Sequence, residues 1–356
     1  MPTSSVTQKT RTAYLDHLRV VGALMVVMIH TTAYLLNTTP VGSPVFVLSA
    51  VLDALSQAAV PLFVMVSGSL LLDEGRPVTI RRAARHYAAP LLGLYAFWSV
   101  VFALVNKVLQ PLLLEHAAFS AAMLRAFGKA CVEGMYHMWY LPMAAVLYLL
   151  TPLLRQFVRQ DTLPLVRWYL LLSGVFQFVL PLPLLLPGAE QSAFAALYTD
   201  MHAAPLLGYP AYYVLGWYLS HSRPARRWPL YAAGLAGLAG MVAGTLLVSV
   251  RLGEGYTGLL EPLLLPCGLY SAAVFAFFAW ELPGLRGGRV LTALSGCTFG
   301  VYILHAELLQ LFRQAWPYTA HPAGYIAAVF GGVTLLSLIA TLVLRHIPGL
   351  RRTVRG

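Results

Sequence analysis

The apolar run from Tyr14 to Leu36, YLDHLRVVGALMVVMIHTTAYLL, carries an arginine and a histidine inside it, Arg19 and His30. A bilayer crossing needs ~20 mostly apolar residues, so this run is long enough to span. Ionisable groups at that depth are costly and face a bundle interior or a wet cavity rather than lipid. Arg19 and His30 are eleven positions apart. At ~100° per residue that is about three helical turns, which puts both on one face, ~16 Å apart along the axis. A chain that buries such a helix needs other helices to cover the polar face. Each residue has an ordinary alternative: Arg19 as a side chain snorkelling to headgroups, His30 as a packing histidine. A shared face argues against both being incidental.

The other segments supply the cover. The chain has 356 residues, 59% of them hydrophobic, with a mean hydropathy of +0.71. Only 10% are charged, against ~25% in soluble domains. This composition specifies an all-α polytopic membrane protein. Spans are expected at about 14–36, 45–72, 87–109, 137–155, 164–186, 205–221, 228–250, 258–281, 291–313 and 323–346. That makes ten, with a polar tail before the first. The basic stretch Leu71 to His86 reads as a loop, as does Pro187 to Ala204. The segment Gln110 to Tyr136 is amphipathic and too polar to span, so it is expected to lie on a membrane face. No internal repeat and no linker is visible, so residues 1–356 read as one domain.

The net charge of +11 would suggest nucleic acid in a soluble protein. Here the positive-inside rule accounts for it. With the N-terminus inside, the inner segments hold Lys9, Arg11, Arg76, Arg81, Arg82, Arg85, Arg155, Arg159, Arg167, Arg223, Arg226, Arg227, Arg286, Arg289, Arg345, Arg351, Arg352 and Arg355. These are 18 of the 24 Lys and Arg residues. Only Lys107, Arg125, Lys129, Arg251 and Arg313 fall outside. Both termini are therefore expected to be cytoplasmic. The first apolar segment is too long for a signal peptide and is followed by no small-residue cleavage site. Cys131, Cys267 and Cys297 have neither metal nor redox spacing, so no metal site and no structural disulfide is expected.

Several residues could carry chemistry. His305 and Glu307 in TFGVYILHAELLQ (Thr298 to Gln310) fall near mid-depth, and an embedded carboxylate is hard to dismiss as packing. YHMWYLP (Tyr136 to Pro142) opens the fourth span at the outer edge. Trp139 and Tyr140 suit an aromatic belt, but His137 beside them does not. Arg81, Arg82 and Arg85 form RRAAR. Guanidinium groups three apart on a helix can grip phosphate bidentately, the plain alternative being inner-surface charge. Together these suggest a phosphorylated donor held at the inner surface and a deep histidine acting as general base or acyl carrier.

The motifs resemble those of the bacterial membrane acyltransferase 3 family. The matching pieces are LDHLRVVGALMVVMIH (Leu15 to His30), VPLFVMVSG (Val60 to Gly68), RAAR (Arg82 to Arg85), HMWYL (His137 to Leu141) and FGVYILH (Phe299 to His305). They run from the first span to the ninth. The resemblance implies about ten membrane helices in the bacterial inner membrane. It implies an acyl-CoA donor, acetyl-CoA by default, reached from the cytoplasm, and no tightly bound cofactor. It implies transfer to a hydroxyl of a cell-surface carbohydrate or its lipid-linked precursor. His30 and Arg19 are then the essential pair, and Arg82 and Arg85, with Arg81, hold the donor. Ser67, His137, Trp139, Tyr140, Tyr302, His305 and Glu307 become candidate cavity residues. Two positions depart from the family pattern: Gln57 where members often carry Arg, and Ser69 where they often carry an aromatic. The competing class is a transporter or flippase, with Asp53, His305 and Glu307 as its polar pathway. The lack of paired broken helices in inverted repeats weighs against it.

Overall fold

Helices build the whole of the computed structural model, which describes residues 4–185, 192–316, 318 and 321–354; there is no strand among them. In chain order they are α1 (Ser4–Thr38), α2 (Pro44–Ser56), α3 (Ala59–Leu71), α4 (Ile80–Leu113), α5 (Ala121–Glu133), α6 (Tyr140–Leu154) and α7 (Gln160–Leu184). Then come α8 (Ala193–Asp200), α9 (Pro210–His221), α10 (Trp228–Leu252), α11 (Leu265–Trp280), α12 (Arg289–Ala315) and α13 (Pro322–His346). Among the described residues, eight stretches are long and apolar enough to cross a bilayer; α6 and α9 are shorter. The protein is a polytopic membrane protein. Large apolar side chains such as Leu235, Leu247 and Leu335 are exposed on the outer helices, as a lipid-facing surface requires.

Four expectations about boundaries are corrected. The stretch before Tyr14 is helical from Ser4 rather than a separate tail. The arginine-rich stretch is not a loop: Thr79 caps a helix start by accepting from the Arg82 amide at 3.2 Å, so RRAAR sits in the first turns of α4. The second span is broken between α2 and α3. Pro61 explains the break, because it has no N–H for the Gln57 carbonyl and its ring crowds that oxygen. The freed carbonyl is met from α11 by Cys267 Sγ at 3.5 Å, and Leu55 O accepts from Tyr270 Oη at 2.9 Å. The loop expected from Pro187 begins outside the described residues, and α8 forms within its latter part.

Prolines leave a second mark. Three π-helical segments, Ala83–Ala88, Val105–Leu109 and Gly174–Val179, each end two residues before a proline: Pro90, Pro111 and Pro181. A wider turn lets the helix run on past a residue that cannot donate. Such turns recur at functional sites. The first carries Arg85, His86 and Tyr87, the second Asn106 and Lys107.

The first helix is the hub. It packs against α2, α3, α11, α12 and α13, so the helix that carries Arg19 and His30 is covered by five others. α3 and α9 cross with their backbones touching: a Cβ on Gly68 would strike Tyr213 O, and one on Gly216 would strike Met65 O. Small residues at such crossings let dispersion and packing do what hydrophobic exclusion cannot do in lipid. The connections after α3, α6 and α9 meet at one end, where Glu74 accepts from the Gln160 amide at 2.9 Å and His221 lies 3.4 Å from Asp73. There Arg155 donates to Leu71 O and Asp73 O at 2.9 and 2.7 Å, and Arg227 pairs with Glu281 at 2.7 Å. Hydrogen bonds from Arg227 and Tyr231 hold the Glu281 carboxyl below the usual carboxylate range.

Candidate functional site

Two connected spaces open at the basic end. The outer one, about 540 Å³, is lined by Thr79, Arg81, Arg82, His86 and Tyr87. The inner one, about 450 Å³, runs between α1, α3, α4, α6 and α12 and is lined by Arg19, Arg76 and Ser67 among largely apolar groups. His86 and Tyr87 line both spaces. The outer space is thus a cationic bowl, and the inner a mainly apolar slot ending at Tyr140, Phe299 and Tyr302. Arg82 stands over the Tyr87 ring at 5.9 Å. Arg85 is exposed but does not line the bowl, so the bowl pairs Arg82 with Arg81 rather than with Arg85. The π turn that starts at Ala83 is the physical reason, since it changes which side chains share a face.

Arg19 lines the slot and pairs with Asp16 at 3.2 Å. Asp16 Oδ1 also accepts from Ser295 Oγ at 2.7 Å, tying α1 to α12 and fixing the arginine's position. Ser67 Oγ lies 3.3 Å from Tyr148 Oη, so it belongs to the slot wall.

Beyond Tyr302 lies a cluster of three histidines. The rings of His30 and His305 stack with centroids 5.2 Å apart. His137 meets His305 edge-on at 5.1 Å. Tyr136 caps His30 at 5.1 Å. Tyr302 is the partition: it lines the slot, its ring meets His137 at 5.4 Å, and its hydroxyl donates to His137 O at 2.7 Å. Sequence distance brings none of these together; α1, α6's approach and α12 do.

The hydrogen bonds fix two tautomers. His305 Nδ1 is 2.6 Å from Tyr302 O, and His137 Nε2 is 3.2 Å from Ile303 O. A carbonyl only accepts, so each of those nitrogens carries the hydrogen. The other nitrogen of each ring, His305 Nε2 and His137 Nδ1, is buried with no partner. Buried polar atoms without partners are rare and call for a reason. Two bare imidazole lone pairs beside His30 make a site that can take up a hydroxyl proton. The three rings do not converge as metal ligands; no metal-binding group is found among the described residues.

Some expected residues stand apart. Trp139 is exposed and packs on Tyr209 at 5.6 Å, with no ring contact to the histidines among the described residues. Glu307 Oε2 accepts from Asn106 Nδ2 at 2.9 Å, two residues past His305. Asp53 is buried, accepting from Thr32 Oγ1 at 2.8 Å and Gln57 Nε2 at 2.5 Å. Gln57, one of the departures noted above, thus fastens the α2 side of the helix break. Asp53 thus clasps α1 to α2 through Thr32 and Gln57.

Sequence patterning does not single out Arg76, His86, Tyr87, Tyr136, Tyr148 or Arg313. Arg313 counts there only as an outward charge. In the fold its guanidinium donates to His30 O and lies 4.4 Å from the Tyr34 ring centroid, so it anchors the helix turn that carries His30. An arginine near the outward end of a span was the available signal.

The model of a family described as an acyltransferase domain matches residues 12–344 of the chain. No curated protein and no solved structure matches it.

Proposed function

The chain belongs to the acyltransferase 3 family and is a membrane acyltransferase; on that premise we propose that it moves an acetyl group from cytoplasmic acetyl-CoA to a hydroxyl of a cell-surface carbohydrate or its lipid-linked precursor. Residues Leu24 to Thr32 resemble the enterobacterial common antigen O-acetyltransferase, which makes a surface glycan the first acceptor to test. One observation carries the reading: a cationic bowl leads through a narrow slot to a tyrosine wall backed by the histidine cluster. That sequence of chemistries suits acyl-CoA. Its phosphates take guanidinium groups, its pantetheine arm takes a slot, and its thioester is delivered to the Tyr140–Tyr302 wall.

In the proposed reaction the acceptor hydroxyl loses its proton to His30, and its oxygen attacks the thioester carbonyl. The C–O bond forms, the C–S bond breaks, and the proton passes on to the CoA thiolate. Arg19 lies on the donor side and offsets the charge of the donor or of the departing thiolate. The discriminating assay is purified protein with acetyl-CoA. Acceptor-dependent release of free CoA supports transfer, whereas none with any glycan acceptor refutes the carbohydrate assignment.

Arg82→Ala is expected to weaken CoA binding by roughly 10-fold or more, since a charge-assisted hydrogen bond is worth ~1.5–3 kcal/mol. Arg82→Lys restores only part, because lysine lacks the planar fork. Arg85→Ala, off the bowl, changes affinity less. Calorimetry ranks the three; equal effects of the two alanine variants would make the bowl geometry irrelevant.

The same reading places ten crossings in the bacterial inner membrane with both termini cytoplasmic. With the native cysteines replaced, a cysteine at Glu254 should react with an impermeant maleimide in intact cells and one at Arg159 should not. Reversed labelling sinks the orientation.

A further inference from the structure

A third cavity, about 380 Å³, opens on the opposite side of the histidine cluster, between the outer part of α4, the amphipathic α5 and α12. Ligand pockets run ~300–1,000 Å³, so this one has room for a sugar-sized ligand. Resting on the carbohydrate reading above, we propose that it is a subsite for a negatively charged sugar of the acceptor, with Lys107 reading the charge.

The lining is built for such a ligand. Asn106, Gln110 and Gln310 present carboxamides, Ser99 a hydroxyl and Lys107 an ammonium. Sugar hydroxyls both donate and accept, and so do carboxamides and a serine hydroxyl. Among the described residues no acidic side chain lines the cavity, and Lys107 has no ion-pair partner.

Two buried atoms on this wall are without partners. Ser99 is fully buried, and its Oγ makes no hydrogen bond. Asn106 Nδ2 donates to Phe102 O at 3.1 Å and to Glu307 Oε2 at 2.9 Å. That fixes the amide and leaves Oδ1 buried and bare. An unmet buried acceptor is costly, and both residues belong to the cavity lining. Gly134 forms part of the wall with φ +68; a Cβ there would stand 3.0 Å from Ser99 Oγ. Glycine both permits the backbone turn and spares the hydroxyl a side chain pressed against it. Asn106 and Lys107 lie in the π segment Val105–Leu109.

The cavity adjoins the proposed chemistry. Phe102 lines it and its ring is 6.2 Å from that of His137. The Asn106–Glu307 bond ties the wall to α12 two residues beyond His305. A glycan held here sits on the far side of the histidines from the donor slot.

The test is binding to the full-length protein in detergent, with methyl glucuronoside, methyl glucoside and glucose 6-phosphate as probes. Native protein is expected to bind the glucuronoside at least about 10-fold tighter than the glucoside, as a charge-assisted contact implies. High salt should shrink that preference. Lys107→Gln should erase it, Lys107→Arg should keep most of it, and CoA affinity should stay native in both. Ser99→Ala should weaken all three sugars alike. Equal preference for the phosphate assigns the subsite to negative charge in general, and glucuronoside alone to a carboxylate; either supports it. No measurable sugar binding, equal native affinities for charged and neutral sugars, or a preference that survives Lys107→Gln overturns it. Binding needs no turnover, so the two proposals fail separately. Glucuronoside preference without transfer to any sugar sinks the carbohydrate-transfer reading alone. Transfer without the preference sinks the subsite alone.

Discussion

Replacing His30 by alanine is expected to cut acetyl transfer by ~10²–10⁴-fold, the usual worth of a lost general base, while yield and CoA affinity stay near native. The separation follows from the geometry. CoA is assigned to the bowl and slot, whose lining does not include His30, so the donor should still bind. The fold should tolerate the change because the His30 ring makes no hydrogen bond among the described residues; it is held by stacking on His305 and by the Tyr136 edge. The helix turn itself is anchored from outside the ring, by Arg313 on the His30 carbonyl. An alcohol is a poor nucleophile until its proton is leaving, and imidazole is the side chain suited to taking it near neutral pH. Two routes share the residue: direct proton removal from the acceptor, or an acetyl-histidine that the acceptor then attacks. Mass spectrometry of protein mixed with acetyl-CoA alone separates them, since only the second labels His30. Near-normal turnover by folded His30→Ala protein refutes both.

How far the sequence reaches can be judged residue by residue. Hydropathy outlines the helices because it is a one-dimensional consequence of a bilayer. The single face holding Arg19 and His30 is legible for the same reason: helical period alone sets it. What is not legible comes from prolines and from tertiary contact. Pro61 breaks the second span and Pro90 widens the turn under RRAAR, so a three-residue spacing no longer means a shared face. His30, His137 and His305 are far apart in the chain. Only the packing of α1 against α12 and the contact of the Tyr136–His137 segment with α12 bring the rings together. Tyr302 as the partition and Asn106 as the partner of Glu307 are likewise invisible to pattern, since each depends on a neighbour from another helix.

His305 is the candidate on whose surroundings the fold adds most. As a sequence feature it reads as lining, and a mild effect follows. In the fold it is fully buried, stacked on His30, with Nδ1–H spent on Tyr302 O and Nε2 bare. An acceptor nitrogen placed there can orient the incoming hydroxyl or hold His30 in register. Loss of either is expected to cost ~10²-fold in transfer, within the range for a positioned proton acceptor. His305→Ala also empties a core position and destabilises the protein by a large-to-small penalty, so a second variant is needed. Asparagine carries an amide N–H where Nδ1–H stood and nothing where Nε2 stood. His305→Asn should therefore keep the bond to Tyr302 O and near-native thermal stability, yet be as slow as the alanine variant. Groups acting as one unit lose their rate only once. The double variant His30→Ala, His305→Asn should accordingly be no slower than His30→Ala alone, measured as CoA release with saturating donor. Multiplicative losses would show two independent roles, and native turnover by His305→Asn would return the residue to the wall.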